Sequence, residues 1–170
     1  MNSAPEPALL ELLRGSGAHA DPLACVEDLN AEIAGRQVHG FPHSIWQQLC
    51  HMNYWMDYEL RRIQGKKPAY PEHAAGSWEP DAQPAGESEW RKEVNRFVEL
   101  IGEYSSLARS APEDLHREIE LTHVSEKKNS STLSAVLWQM VAHNSYHTGQ
   151  IVMLRRALGV WPPRAGGDTW

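Results

Sequence analysis

The sequence Ala-His-Asn-Ser-Tyr-His-Thr-Gly-Gln-Ile occupies residues 142–151 and lies inside the most regular helical pattern of the chain. Around it, residues recur at alternating steps of four and three, which predicts a stripe facing the core of a helical bundle. The stripe consists of Leu133, Leu137, Met140, Asn144, His147, Ile151, Leu154 and Leu158. His143 lies one turn before His147, on the same side of the helix. Because buried polar side chains cost free energy unless they find partners, both histidines should have something to bind.

Length and composition favour one folded domain. A chain of 170 residues, of which 41% are hydrophobic, can bury a substantial core and does not have a disordered composition. We therefore expect residues 1–170 to form a single helical-bundle domain, with an irregular tail from about residue 159. The formal net charge of −6 offers no basic surface for nucleic acid or for an anionic membrane.

The sequence shows no sign of membrane insertion or secretion. No apolar run approaches the roughly 20 residues that span a bilayer. The N-terminus lacks the basic and apolar segments of a secretory signal. Cys25 and Cys50 have no motif spacing, which is typical of reduced, buried thiols. We therefore expect a cytoplasmic protein.

Local signals predict an all-α fold with four long helices and no convincing strand. Helices are expected over residues 6–14, 21–35, 44–64, 88–108 and 131–158, the first of them short. Ser44 and Gln47 form a capping-box pattern, and Ser131 or Thr132 caps the last helix. The result is a four-helix bundle with a short extra N-terminal helix and long connections. Those connections are long enough for either an up-down-down-up or a simple up-down order.

Residues 65–87 are rich in proline and glycine and show no period, so they are expected to form a loop. A loop of this length in a small domain is often functional. Trp78 is expected to anchor it to the body of the protein. We expect the loop to border an opening to the site or to cover a neighbouring end of the bundle.

The pair His143 and His147 can present two nitrogens to one metal ion, because positions i and i+4 share a helical face. At least one more ligand must then come from elsewhere in the fold. His51 leads the candidates because it lies inside another long apolar helix, although at the edge of that helix's buried face.

The positions of the histidines in the sequence are also compatible with other ligands and with a purely structural role. His123 could reach the site from the irregular connection before the last helix, and Asp57 or Glu59 could supply a carboxylate. Alternatively, the histidines of the last helix are core residues hydrogen-bonded to other side chains. His39 and His43 are also four residues apart, but the glycine and proline between them prevent a shared helical face.

Two of the predicted helices resemble a known family. The run HNSYHTGQI at residues 143–151, followed by LRR at 154–156, resembles the signature helix of the DinB-like family. The run PHSIW at residues 42–46, leading into LCHM at 49–52, resembles that family's second helix. The two runs together are more specific than either alone, and the pattern between them is compatible with the family.

The resemblance implies a four-helix bundle of up-down-down-up order that holds a divalent metal through three histidines. By this resemblance the ligands are His51, His143 and His147. Three neutral imidazoles suit zinc or nickel and leave coordination positions for water or substrate. Side chains near enough in sequence to orient the rings are Asn144, Gln150, Gln47 and Tyr54.

Two kinds of function are compatible with such a site. DinB-like proteins resemble transferases and isomerases that use low-molecular-weight thiols, and others are labelled metal-dependent hydrolases. We therefore expect an enzyme acting on a small-molecule substrate. The alternative is a non-catalytic metal-binding or stress-response protein with a structural metal. An open site favours the enzyme, because structural zinc is usually closed by four protein ligands. Direct DNA binding is not expected of this acidic chain, and the sequence leaves a homodimer open.

Overall fold

The computed structural model describes residues 6–120 and 130–166. In these residues the chain is mostly helical, with a single-turn 3₁₀ helix at Ala74–Ser77. The helices are α1 (Glu6–Leu12), α2 (Ala24–Glu27), α3 (Ala31–Ala34), α4 (Ile45–Ile63), α5 (Glu87–Ala108), α6 (Pro112–Leu115) and α7 (Leu133–Ala157). There are also two short strands, β1 (Glu118–Glu120) and β2 (Ser130–Thr132).

The three long helices form the centre of the molecule, with α4 packed against both α5 and α7. The predicted apolar stripes of these helices are buried, which accounts for most of the core. The buried stripe of α5 comprises Trp90, Val94, Phe97, Ile101, Tyr104 and Ala108. The short helix α1 contacts α5 and α7, and α2 also contacts α7. Burial of these stripes is the main stabilising contribution to such a fold.

Both predicted helix starts near the site are confirmed. Ser44 Oγ accepts a hydrogen bond from the Gln47 amide, and Gln47 Oε1 accepts one from the Ser44 amide, which together make a capping box. Thr132 caps α7 by accepting from the amide of Ala135 at 3.1 Å. These caps fix where α4 and α7 begin and therefore which residues of each helix face the other.

The prediction of one long helix over residues 21–35 is wrong, because this segment contains two single-turn helices. Helix α2 ends at Glu27, and Asn30 starts α3 by accepting a hydrogen bond from the Ile33 amide. The Asp28 carboxylate, between the two helices, is bound by Arg155. Asp and Asn favour such bonds at helix ends over a continuous helix, and tertiary partners reinforce the break.

The prediction of a fold without strands is also wrong in one detail. Strands β1 and β2 pair antiparallel, with Glu118 opposite Thr132 and Ile119 opposite Ser131. Ile119 is buried, whereas its neighbours on β1 are exposed. Three-residue strands are too short to show an alternating pattern in the sequence, so their pairing depends on tertiary contact.

The loop between α4 and α5 is tied to the start of α4. Ser44 Oγ donates to the carbonyl of Ala82, and Gln47 Nε2 donates to the carbonyl of Glu79 at 2.7 Å. The capping residues of α4 therefore also hold the loop that lies beside the site. Among the described residues, no helix combines the length and apolarity needed to cross a bilayer.

Candidate metal site

Three histidines from two helices converge in the interior. His51 comes from α4, and His143 and His147 come from successive turns of α7. One ring nitrogen of each lies within 4.8 Å of the others, an arrangement that can hold a metal ion. His51 and His147 are buried, at 7% and 4% exposure, whereas His143 is half-buried. His143 is thus the member of the group nearest to solvent.

The spacing between rings fits metal ligation. The Nε2 atoms of His51 and His143 are 3.3 Å apart. Two imidazole nitrogens bound to one tetrahedral ion at 2.0–2.1 Å are separated by about 3.3–3.4 Å. The same separation also suits a hydrogen bond from His143 Nε2–H to His51 Nε2. The geometry therefore accommodates either a proton or a metal ion between these two rings.

Two of the three rings are oriented through their Nδ1 atoms. His51 Nδ1 lies 3.2 Å from the carbonyl oxygen of Ser77 and 3.2 Å from the Ser77 hydroxyl. His147 Nδ1 lies 2.6 Å from Gln48 Oε1. A carbonyl oxygen can only accept, so each Nδ1 carries a hydrogen and each Nε2 is left as a bare lone pair. Fixing the tautomer in this way prepares Nε2 for metal binding.

Trp78 covers the site from the loop side. Its ring stacks on His51 with centroids 3.8 Å apart and planes inclined by 10°. Its other face stacks on His43, at 3.7 Å and 8°. The expectation that Trp78 anchors the loop is therefore confirmed, and the loop residues Ser77 and Trp78 lie directly against a candidate ligand. This contact limits the rotation of the His51 ring and excludes water from one of its faces.

Burial keeps the three rings neutral. It lowers the pKa of His51 to about 4, although the bond to Ser77 opposes the shift. It lowers the pKa of His147 to about 3, and the neighbouring rings of His143 and His51 add to that effect. The pKa of His143 is lowered for the same reason. Because metal binding requires unprotonated imidazole, the folded protein presents competent ligands at neutral pH.

The other side chains expected near the rings have different environments. Gln150 reaches the site indirectly, since its Oε1 accepts from Gln48 Nε2 at 2.7 Å. Asn144 is buried and donates to Met56 Sδ at 3.3 Å. Gln47 binds the Ser44 and Glu79 backbone, and the Tyr54 ring packs on Trp55. His123 lies outside the described residues.

The carboxylates considered as ligands are engaged elsewhere. Asp57 pairs with Arg61 and Arg96, and Glu59 forms a buried pair with Arg62. Within the described part of the chain, the ligand group consists of the three histidines alone.

Three neighbours of the site were missed by sequence analysis: Gln48, Ser77 and His43. Gln48 lies three residues before His51 and so shares its helical face, a signal that could have identified it. Ser77 and His43 carry no such signal, because both lie outside the long helices. Ser77 belongs to the loop between α4 and α5, and His43 directly precedes the N-cap of α4.

Comparison with known proteins identifies the family of the chain. The profile of the DinB family matches residues 19–168, which span most of the chain and contain all three histidines. Searches of curated proteins and of solved structures returned no match. The family match covers both helices that build the site as well as the loop that contacts it. The chain therefore belongs to the DinB family.

Proposed function

We propose that the protein binds one divalent metal ion through His51, His143 and His147 and uses it in catalysis. The convergence of three neutral imidazoles within 4.8 Å carries this proposal. Imidazole ligands favour zinc or nickel over the oxygen-seeking ions calcium and magnesium. We further propose that the helices form a four-helix bundle of up-down-down-up order, in which the broken α2–α3 segment contributes to the first helix.

The residues around the site prepare it for a reaction at a metal with open positions. When bound, the ion supplies Lewis acidity and coordination positions for water or a thiolate. Ser77 and Gln48 hold the His51 and His147 rings, and Trp78 shields one face of His51. Half-buried His143 marks the side that substrate can approach.

The two cysteines of the chain are not suited to act as the nucleophile of the reaction. Burial raises the pKa of both Cys25 and Cys50, so neither thiol is a thiolate at neutral pH. A thiol nucleophile would therefore come from solution. We propose a thiol S-transferase or isomerase that uses a low-molecular-weight thiol, or a hydrolase in which water takes that role. A cytoplasmic location, which keeps small thiols reduced, suits the first of these.

A non-catalytic role is the second candidate, and one observation favours it. His143 Nε2 and His51 Nε2 are close enough to hydrogen-bond without a metal, so the cluster can also serve as a polar part of the core. A structural metal would need a fourth protein ligand, and His123 is the candidate that the sequence offers. His123→Ala should leave metal affinity unchanged if the site is open and reduce it strongly if the site is closed.

Metal analysis and melting of one variant test the proposal. Protein purified without added metal should contain stoichiometric zinc or nickel, and His147→Ala should lose most of its metal affinity. The variant should stay folded, because the apolar stripes and not the ion hold the helices together. It should also lose any thiol-transfer or hydrolytic activity found by screening.

The matched control is His39→Ala, which removes an exposed histidine outside the site. Thermal melts of each protein, with chelator and with added zinc or nickel, separate the two candidate functions. Cooperative unfolding of the wild type on chelation at neutral pH would contradict the catalytic role, because a structural metal contributes folding free energy.

A further inference from the structure

Two amide side chains, of buried Gln48 and half-buried Gln150, connect α4 and α7 beside His147. Gln48 is only 1% exposed, so its polar atoms must be satisfied inside the protein. Its Oε1 lies 2.6 Å from His147 Nδ1, and its Nε2 donates to Gln150 Oε1 at 2.7 Å. His147, Gln48 and Gln150 therefore form one continuous chain of hydrogen bonds across the helix pair.

The chain has a direction that determines where His147 carries its proton. An amide has one accepting end and one donating end. While Gln48 Nε2 faces the oxygen of Gln150, Gln48 Oε1 must face His147, which then donates from Nδ1. The reverse order needs both amides to turn over. It would place the proton on His147 Nε2, the ring nitrogen that is not bonded to Gln48.

We propose that Gln48 and Gln150 act as a positioning pair that holds His147 in its Nδ1–H tautomer and keeps Nε2 free for a metal ion. Gln48 supplies the acceptor, and Gln150 fixes the orientation of the Gln48 amide. The proposal rests on the proposed metal binding for its purpose. The tautomer itself is a property of the metal-free protein and can be measured without any metal.

The contrast with His143 supports this role. His143 Nδ1 is buried and has no hydrogen-bond partner among the described residues, so no acceptor holds a proton on that nitrogen. The ring nitrogen of His143 that does have a partner is Nε2, which faces His51 Nε2 at 3.3 Å. His147 is the more deeply buried of the two rings on α7, and it has the shortest contact of any site histidine. A buried amide that only filled space would not need this alignment.

The test compares variants of the positioning pair, Gln48 and Gln150, with a variant of a buried amide elsewhere on α4. Gln48→Leu removes the acceptor, Gln48→Glu retains one, and Gln150→Leu removes the group that orients Gln48. The control is Asn53→Leu, which removes a buried amide that donates to Glu93. Zinc affinity is measured for each full-length folded protein by competition with a chromophoric chelator. Histidine tautomers are read from nitrogen-15 NMR of the metal-free proteins.

Gln48→Leu should weaken zinc binding by about 10–100-fold, the usual effect of removing a group that orients a ligand. Gln150→Leu should cause a smaller loss, and Asn53→Leu should cause none. Gln48→Glu should restore binding, because a carboxylate oxygen accepts from Nδ1–H as an amide oxygen does. His147 should be the Nδ1–H tautomer in the metal-free wild type and a mixture in Gln48→Leu.

Two results would overturn the positioning role: zinc affinity of Gln48→Leu equal to that of Asn53→Leu, or a wild-type His147 protonated on Nε2. If Gln48→Leu fails to fold, Gln48→Glu and Gln150→Leu still decide the question. A wild type that binds no zinc but keeps the Nδ1–H tautomer of His147 would contradict the proposed function and still support the role of Gln48 and Gln150 in selecting the tautomer. If the wild type binds zinc and Gln48→Leu binds it equally well, the proposed function stands and the positioning role of Gln48 is contradicted.

Discussion

The histidine site and the Arg155 cluster are both built on polar side chains of α7, and the two differ in how far their hydrogen-bonding capacity is used. Arg155 is 1% exposed, and its guanidinium binds Asp28 and the carbonyls of Cys25 and Val160. A guanidinium has five N–H donors, and these contacts occupy all of them. Asp28 also accepts from the backbone amide of Arg164. The Arg155 cluster is saturated and leaves no position for a ligand.

The histidine site is not saturated in this way. His143 Nδ1 is buried without a partner, and the bare Nε2 of His51 faces that of His143. Both clusters lie on the same helix and are similarly buried, so burial does not distinguish a structural cluster from a ligand site. What distinguishes a ligand site from a structural cluster is the presence of unused lone pairs that point at a common centre.

The largest expected effect on stability comes from breaking the saturated cluster. Arg155→Leu should lower the free energy of unfolding by about 3–5 kcal/mol, because it removes the ion-pair partner of Asp28 and the donor to two backbone carbonyls. Zinc affinity of the folded variant should not change. Denaturant unfolding with and without zinc measures both quantities.

Arg156→Leu is the matched control for this change. Arg156 is exposed and lies over the Trp161 ring, a contact that contributes about 0.5–1 kcal/mol at such a site. Equal destabilisation by the two substitutions would show that the buried ion pair has no special role in holding the C-terminal segment.

The next largest effect is on the pH dependence of stability, to which the two clusters should contribute in different pH ranges. The unfolded His147 takes up a proton near pH 6.5, whereas the folded ring resists protonation until about pH 3. Stability therefore falls as pH drops below about 6.5, and this ring alone should remove about 2 kcal/mol between pH 7 and pH 5. Unfolding of metal-free wild type and His147→Gln at several pH values tests this, and the variant should show a flatter profile.

The Asp28 carboxylate should respond only at lower pH. Burial raises its pKa, but hydrogen bonds from Arg155 and from the Arg164 amide outweigh burial, and the net shift is downward. Its stabilising contribution is thus complete above the ordinary Asp pKa and is lost as pH falls further. Asp28→Asn should leave the profile between pH 7 and pH 5 unchanged, and a flattened profile there would contradict this assignment.

The smallest of these effects concerns the cover of the histidine site. Trp78→Leu should weaken zinc binding by about tenfold, because His51 loses the ring that stacks on it. The fold should persist, since α4 and α7 keep their own caps and stripes. Trp138→Leu, which changes an exposed tryptophan on α7, is the control. Identical zinc affinities for the two variants would mean that the loop covers the site without positioning its ligand.

Much of the framework and part of the site could be read from the sequence because the signals are local. The capping box at Ser44, the stripe of α7 and the i, i+4 pair of histidines depend on residues within one or two turns of each other. The segment at 21–35 shows the limit of such signals. Its apolar spacing resembles one helix, but the contact of Asp28 with a residue 127 positions away favours a break.

The sequence by itself determined the long helices, the faces they bury and the helical pair His143 and His147, while resemblance to a family selected His51 as the third member. Only the tertiary structure decided how those rings are held. Gln48 meets Gln150 across 102 residues, and Ser77 meets His51 across 26. Such bonds form only where two packed elements bring their side chains within about 3 Å, a condition that no spacing along the chain encodes.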